Sequence, residues 1–167
     1  MLLQVGDFVV HPAHGVGHVV RLEEKQFAGA EARLYYEVAT LQKSTVWVPV
    51  EVGASIGLRP LTAKGDLVQY RGLLRSRPGL LNQDHRQRRL ELAGRLKQGS
   101  FRIVCEVVRD LAARGWRKPL SEADNAVYRK VRENLYQEWA TAEGVSITEA
   151  AQEVESLLRE SRQAFMV

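Results

Sequence analysis

The chain has little of what most catalytic or metal sites require. Its 167 residues include one cysteine, which excludes an internal disulfide and any paired-cysteine metal motif. No glycine-rich phosphate-binding loop is present. Three histidines lie close together, His11, His14 and His18, but without a neighbouring cysteine they fit polar turn and strand positions better than a metal site. We therefore expect no catalytic residues, no metal and no cofactor.

Long apolar runs are absent as well. No stretch approaches the roughly 20 apolar residues of a membrane-spanning helix. The first ten residues, MLLQVGDFVV, do not place a basic segment before an apolar one, as an export signal would. We expect a cytoplasmic protein. Cys105 lies in FRIVCEVVRDLAA, where apolar residues recur at helical spacing, so we expect it in a helical core rather than as a reactive thiol.

Positive charge is concentrated in one segment, although the net charge is only +4. Between residues 64 and 102 the chain carries ten lysines and arginines against three acidic residues, so the remainder is slightly acidic. Such a local excess is typical of proteins that bind polyanions, and no amphipathic helix with bulky exposed apolar residues favours a membrane surface. We expect nucleic acid as the polyanion.

Acidic residues are frequent only in the C-terminal helical segments. We expect them to lie on solvated faces or in first helical turns, where the helix dipole stabilises negative charge. The residues concerned are Glu122, Asp124, Glu149, Glu153 and Glu155. A nucleic-acid-processing enzyme is the rival interpretation, and it lacks a catalytic constellation.

Two parts of the chain differ in hydrophobic period. Residues 1 to 60 contain five short runs rich in β-branched and aromatic residues, separated by glycine, proline or polar segments. From residue 61 onward, apolar residues recur at helical spacing in four or five segments. The predicted helix N-caps are Thr62, Ser100, Ser121 and Ser146. The pattern predicts a two-domain α+β protein, with a Tudor-like or SH3-like small β-barrel over 1–60 and an all-α domain over 61–167.

Two aromatic residues of the β-rich part are candidates for a protein-binding surface. In TVWVPV, strand alternation turns Trp47 outward if the flanking valines fill the core. Phe27 lies in the polar segment EEKQFAGAEA, and Pro49 suits a strand edge. Exposed aromatics beside an open strand edge are typical of strand-addition interfaces. The alternative is that Trp47 points inward and Phe27 folds back over the barrel.

The segment NQDHRQRRLELAGRL places a histidine and three arginines at the start of a predicted helix. These residues are His85, Arg86, Arg88 and Arg89. Backbone N–H groups at a helix start also attract phosphates, so the cluster suits a duplex backbone better than a single ion pair. The alternative is that the arginines only keep the helix surface solvated.

Four segments, taken in order, carry a resemblance to a known family. VGDFVVHPAHGVGHV is similar to an opening motif V-G-D-x-V-V-x-P-x-x-G-x-G, and WVPVEVGASIGLRPL to a V-P-x-E…V-G-L-R segment that closes the barrel. LKQGSFRIVCEVVRDL and LSEADNAVYRKVRENLYQE are similar to the helical half. The family that these segments resemble is the CarD/CdnL group of bacterial transcription regulators, and the resemblance covers nearly the whole chain.

This resemblance implies a Tudor-like domain that binds the β subunit of RNA polymerase, partly by pairing strand edges. The corresponding contact positions here are Lys25, Phe27, Trp47 and Pro49. It also implies that the helical domain contacts promoter DNA at the upstream edge of the transcription bubble, modulating open-complex stability. Basic residues would contact phosphates, and an aromatic wedge would enter the splayed minor groove.

The chain departs from the family pattern at the wedge. Family members carry tryptophan there, whereas this chain has His85. Arg88 matches a basic position of the family, while Arg86 and Arg89 add charge where other residues are common. The sequence therefore predicts a non-enzymatic, polymerase-binding transcription regulator that contacts DNA through His85, Arg86, Arg88 and Arg89. The alternative is a polymerase-bound adaptor without wedge activity.

Overall fold

The computed structural model describes residues 2–166 and divides the chain into two compact units, with the boundary between Leu61 and Thr62. The first unit is a five-stranded antiparallel sheet and the second consists of five α-helices, which confirms the predicted α+β class.

The sheet has the strand order β4-β3-β2-β1-β5. Its strands are β1 (Phe8–His11), β2 (Gly15–Lys25), β3 (Arg33–Thr40), β4 (Thr45–Pro49) and β5 (Arg59–Pro60). All paired neighbours are antiparallel. Within residues 2–166, β4 and β5 are not paired with each other, so the sheet is open and has two edges.

The turn between β1 and β2 depends on two glycines of HPAHGVG. Gly15 has a φ of 75°, which L-residues with a side chain rarely adopt. Gly17 permits a close approach of strands, because a Cβ there would lie 2.7 Å from the carbonyl oxygen of Ala39. Together they allow β1 to fold back tightly on β2, which in turn pairs with β3.

One apolar cluster fills the inward face of the sheet. It consists of Leu3, Val9, Val19, Tyr36, Val38, Val48 and Leu58. Tyr36 keeps its hydroxyl satisfied in this core by accepting a hydrogen bond from the backbone N–H of Leu3 at 3.1 Å. The opposite face of β4 is left outside this core.

The helical unit contains α1 (Leu67–Leu74), α2 (His85–Lys97), α3 (Phe101–Arg114), α4 (Glu122–Glu143) and α5 (Ile147–Phe165). Ser100, Ser121 and Ser146 each accept a hydrogen bond from a first-turn N–H, as predicted. The predicted cap at Thr62 is wrong. Its hydroxyl instead donates to Glu138 at 2.6 Å, and α1 begins five residues later, at Leu67.

A second apolar cluster joins the helices. Fully buried Leu111 and Cys105 of α3 pack in it with Leu135 and Trp139 of α4. The Trp139 indole N–H donates to Glu153 of α5 at 2.7 Å, so a large aromatic side chain is buried without an unsatisfied donor. The core position predicted for Cys105 is confirmed.

Candidate functional site

The outward face of β4 carries the tryptophan that was predicted to face solvent. Alternation along the strand buries Val48 in the core and leaves Trp47 39% exposed on the other face. The ammonium nitrogen of Lys25, at the end of β2, lies 4.9 Å from the centre of the Trp47 ring. The outward orientation of Trp47 is confirmed, and a cation–π contact joins it to a second predicted contact residue.

Tyr35, which was not among the predicted contact residues, lies between Phe27 and Pro49. The ring of Phe27, 46% exposed, packs edge-on against Tyr35 with 5.2 Å between ring centres. Tyr35 lies directly opposite Pro49 in the β3–β4 register. We call Lys25, Phe27, Trp47 and Pro49 the aromatic edge, and Tyr35 is its largely buried support.

The supporting tyrosine could have been found from the sequence. RLYYEVAT contains two consecutive tyrosines, and in a strand they must face opposite sides. Tyr36 points into the core, so Tyr35 belongs to the face of Trp47. Only the position of Phe27 required the structure, because it lies in a connection whose path alternation does not determine.

The outer backbone of β4 is also available for pairing. β4 is bonded to β3 on one side, and residues 2–166 supply no strand for the other. Unpaired N–H and C=O groups on an edge strand form a template for an added strand. Because Pro49 has no N–H, such pairing is limited to the part of β4 that precedes it, beside Trp47.

The helix α2 begins with exposed positive charge. The Asp84 carboxylate caps the helix by accepting a hydrogen bond from the N–H of Gln87 at 2.9 Å. His85, Arg86 and Arg89 follow in the first two turns and are exposed. Within residues 2–166 neither Arg86 nor Arg89 takes part in an ion pair. We call His85, Arg86 and Arg89 the basic start of α2.

Arg88 does not belong to this exposed cluster, contrary to the sequence prediction. It is only 3% exposed, and its guanidinium nitrogen Nη2 lies 3.0 Å from Asp124 Oδ2 on α4. Its Nε donates to the same carboxylate at 3.1 Å. A buried guanidinium that is paired with a buried carboxylate is not available to a phosphate. The prediction that Arg88 contacts DNA is therefore wrong, and Arg88 instead joins α2 to α4.

The same arginine orders the loop before α2. Its Nη1 donates to the backbone carbonyls of Asn82 at 2.9 Å and Gln83 at 3.3 Å. Upstream in this loop, the N–H of Gly79 donates to Asp110 Oδ1 at 2.8 Å. Arg88 thus fixes the direction in which the chain enters α2, and with it the presentation of His85.

Asp124, the partner of Arg88, lies in an environment that differs from the prediction. It was expected on a solvated face but is 1% exposed. Burial alone would raise the pKa of its carboxyl group. The hydrogen bonds and charge of Arg88, with contributions from Ser121 and Arg114, outweigh burial and lower that pKa below its usual range. Asp124 therefore remains ionised as the counter-charge of Arg88.

The other acids that were predicted to be solvated divide into two groups. Glu122, Glu149 and Glu155 are exposed as expected. Glu153 instead bridges helices, because it accepts the Trp139 indole N–H and pairs with Arg71 at 3.3 Å. These contacts account for Glu153 as a structural residue.

A serine motif in the sheet unit does not form a nucleophile site. Residues 53–57 read GASIG, the G-x-S-x-G spacing of a nucleophile elbow. Such an elbow requires a strand-to-helix turn that exposes the serine hydroxyl. Here the segment is a turn before β5, and the Ser55 hydroxyl donates to the backbone carbonyl of Val52 at 2.8 Å.

The histidines of the β1–β2 turn do not extend into a metal site. The rings of His11 and His14 lie 4.7 Å apart, and burial followed by the charge of His14 lowers the pKa of His11. Residues 2–166 contain no group of three or more His, Cys, Asp or Glu side chains that could hold a metal ion. In the same range, no helix combines the length and the apolar composition needed to cross a membrane.

The first unit thus has an exposed aromatic strand edge, and the second has a basic helix start. Comparison with family models assigns both units: residues 3–61 match the CarD-like/TRCF RID domain and residues 71–155 match the CarD C-terminal domain. The chain therefore belongs to the CarD family of transcription regulators, a non-enzymatic family. Its first unit is an RNA polymerase-interacting domain.

A curated relative agrees with this assignment. The Bacillus subtilis (strain 168) protein named "Putative transcription factor YdeB" is 28% identical over 136 residues, which cover 81% of this chain and 86% of that protein. The resemblance carried by the sequence motifs is thereby confirmed.

Proposed function

We propose that this protein binds the β subunit of RNA polymerase through the aromatic edge and contacts promoter DNA through the basic start of α2. The DNA contact lies near the upstream edge of the transcription bubble and modulates the stability of the open complex. Both partners belong to the bacterial cytoplasm. The observation that carries the proposal is the open outer edge of β4 beside the exposed ring of Trp47.

Strand addition explains why both features occur together. A partner strand paired with β4 would gain main-chain hydrogen bonds, and Trp47 and Phe27 would supply the buried aromatic area that makes such an interface specific. Lys25, already stacked on Trp47, adds a cation that would steer an acidic partner surface. The residues proposed for polymerase binding are Lys25, Phe27, Trp47 and Pro49, with Tyr35 behind them.

The DNA contact is supported by the charge and exposure of three side chains. Arg86 and Arg89 are solvated guanidiniums at the start of a helix, where backbone N–H groups add to their attraction for phosphate. His85 occupies the position of the family's tryptophan wedge and offers a smaller flat ring. We therefore propose a phosphate-based contact with weak wedge activity.

A polymerase-bound adaptor without promoter-bubble wedge activity, whose α2 does not reach the bubble, is the second candidate. Two observations favour it. Arg88 is committed to Asp124, which leaves the helix start with fewer free cations than its sequence suggests, and His85 has less apolar area than an indole. The two candidates share the aromatic edge and differ only in what α2 does.

A footprint of the polymerase–promoter complex separates them. We expect the wild type to extend protection at the upstream edge of the bubble, and Trp47→Ala to reduce this change by weakening recruitment. The double variant Arg86→Ala, Arg89→Ala is expected to co-elute with polymerase but to lose the added protection. If that double variant leaves the footprint identical to that of the wild type, the adaptor replaces the DNA-contacting regulator.

A further inference from the structure

The surface between α2 and α4 forms a groove with a volume of about 910 Å³. Its floor is aliphatic and includes Leu90, Leu92, Ala93, Leu96, Val127 and Val131. Leu90 is 60% exposed, and Ala93 is exposed beside it. The helices thus leave part of an apolar floor open to solvent in the most basic region of the chain.

The charges that line this groove all have one sign. The cations are Arg86 and Arg89 of α2 and Lys130 of α4, and among the described residues that line the groove there is no carboxylate. On α2 the charged positions are 86 and 89, whereas the aliphatic positions continue from 90 to 96. The groove is therefore polarised along α2, with cations at one end and apolar side chains along the rest.

Duplex DNA satisfies only one of these features. Phosphates can contact the arginines, but a hydrated sugar-phosphate backbone gives the aliphatic floor no apolar partner. The volume falls within the range of small-molecule sites, about 300 to 1,000 Å³. An occupant that matches both features has an anionic head and an aliphatic tail.

We infer that the groove between α2 and α4 binds one molecule of a single-chain alkyl or acyl phosphate. The chain lies on Leu90, Ala93 and Leu96, and the phosphate is held by Arg86 and Arg89, with Lys130 across the groove. A phosphate monoester carries close to two negative charges at neutral pH and suits several cations better than a carboxylate does. The proposal commits to a free molecule rather than a lipid surface, because the groove has the volume of a single-molecule site.

This site would regulate DNA contact, and that consequence rests on the proposed function. Arg86 and Arg89 cannot hold the phosphate of the amphiphile and those of DNA at once. Binding of the amphiphile is therefore expected to exclude promoter DNA from α2 while leaving the aromatic edge of the other unit unaffected.

The direct test is titration of the full chain with decyl phosphate below its micelle-forming concentration, followed by calorimetry. We expect saturable one-to-one binding that weakens by about tenfold or more in Leu90→Glu and in Ala93→Glu, which place a carboxylate on the floor. The matched control is Val68→Glu, an exposed position on α1 outside the groove, which should leave binding unchanged. Absence of saturable binding, or equal weakening by Val68→Glu, overturns the proposal.

Simpler probes test the head and the tail separately. Decanol and inorganic phosphate are each expected to bind at least about tenfold more weakly than decyl phosphate, since each satisfies one feature only. Decanoate should be intermediate. Equal affinity for inorganic phosphate would overturn the role of the floor.

Binding to anionic vesicles without binding to free decyl phosphate would contradict the single-molecule site. A dimer of the wild type that Leu90→Glu converts to monomer would assign the groove to a second copy and overturn the proposal.

Competition separates this inference from the proposed function. Saturating decyl phosphate should weaken duplex DNA binding by the wild type but not polymerase binding. Retained DNA affinity alongside amphiphile binding would overturn the shared site. A protein that binds decyl phosphate but shows no DNA binding in its absence would instead contradict the proposed DNA contact.

Discussion

The aromatic edge and the basic start of α2 differ in residue type and in the secondary structure that carries them. The aromatic edge is centred on a tryptophan of a paired strand, whose ring is oriented by strand alternation and contacted by a lysine. The basic start of α2 has no aromatic residue other than a histidine and carries two solvated arginines on one helix. In the proposed function, the first surface recognises the shape of one protein partner, whereas the second contacts phosphates with little dependence on DNA sequence.

The two regions also differ in the contacts that orient their side chains. The orientation of Trp47 in the aromatic edge depends on local register, because the pairing of β4 with β3 positions this ring. The first turn of α2 is joined to that of α4 by a buried long-range pair, Arg88 with Asp124. A single substitution should therefore disturb the helical surface more than the strand surface.

Breaking the buried pair is expected to have the largest effect. Arg88→Met removes the main counter-charge of the buried Asp124 carboxylate and leaves Arg114 and Ser121 beside it, so it should lower the free energy of unfolding of the helical unit by about 3 kcal/mol. Denaturant unfolding followed by circular dichroism measures this change. The matched control, Arg89→Met on the exposed face of the same helix, should change stability by less than about 0.5 kcal/mol. Equal effects would show that Arg88 is not an anchor.

Lowering the pH should weaken the Arg88–Asp124 pair in the wild type, because it protonates the Asp124 carboxylate. The Asp124 carboxyl has a lowered pKa in the folded protein, so its contribution to stability is present above its unfolded pKa and is lost as pH falls through the folded value. Unfolding measured from neutral pH into the acid range should show this loss in the wild type and much less of it in Asp124→Asn. Parallel pH profiles for the two proteins would contradict the assignment.

The aromatic edge is tested by removing its ring. Trp47→Ala should weaken polymerase binding by about 2 kcal/mol, the size of an interface hot spot, because Trp47 lies outside the core. Surface-captured polymerase gives the affinity. Phe8→Ala is the control, since Phe8 is exposed on β1 of the same sheet, away from β4. If the melting transition falls sharply in Trp47→Ala, the ring supports the fold and the interface assignment is wrong.

The wedge position should respond to enlargement. His85→Trp restores an indole where the family has one and should lengthen the open-complex lifetime by roughly tenfold, which corresponds to ~1.4 kcal/mol of preferential binding to melted DNA. His85→Ala should abolish the weak effect of the wild type. The decay of competitor-resistant complexes at equal polymerase occupancy measures this, and identical decay for all three proteins would favour the adaptor.

The two solvated arginines should produce the smallest effect. Removing one phosphate interaction with duplex DNA lowers the salt dependence of binding by about 0.9 of a unit in the logarithmic slope. Arg86→Ala and Arg89→Ala should each remove about one such interaction, on every DNA sequence tested. Fluorescence anisotropy over a salt series measures the slope, and an unchanged slope in the double variant would leave both residues as solvated surface.

Local rules predicted the strand surface well and the helical surface in part. Alternation in TVWVPV was enough to turn Trp47 outward, and serines before helical segments marked three helix starts. The sequence could not distinguish the buried Arg88 from the exposed Arg86 and Arg89, because its partner Asp124 lies 36 residues away. Thr62 failed as a cap for the same reason, since its partner Glu138 lies 76 residues away. Sequence periodicity misplaces those residues whose role is set by a distant partner.

Two separate surfaces serve two partners in this proposal, and a crossed binding measurement tests that separation most directly. Trp47→Ala and the double variant Arg86→Ala, Arg89→Ala are each titrated against RNA polymerase without DNA and against promoter DNA without polymerase. We predict that Trp47→Ala weakens polymerase binding by about 2 kcal/mol and leaves DNA binding unchanged, and that the double variant shows the reverse pattern. Weakening of both affinities in either protein, or of neither in both, would contradict the two-surface proposal.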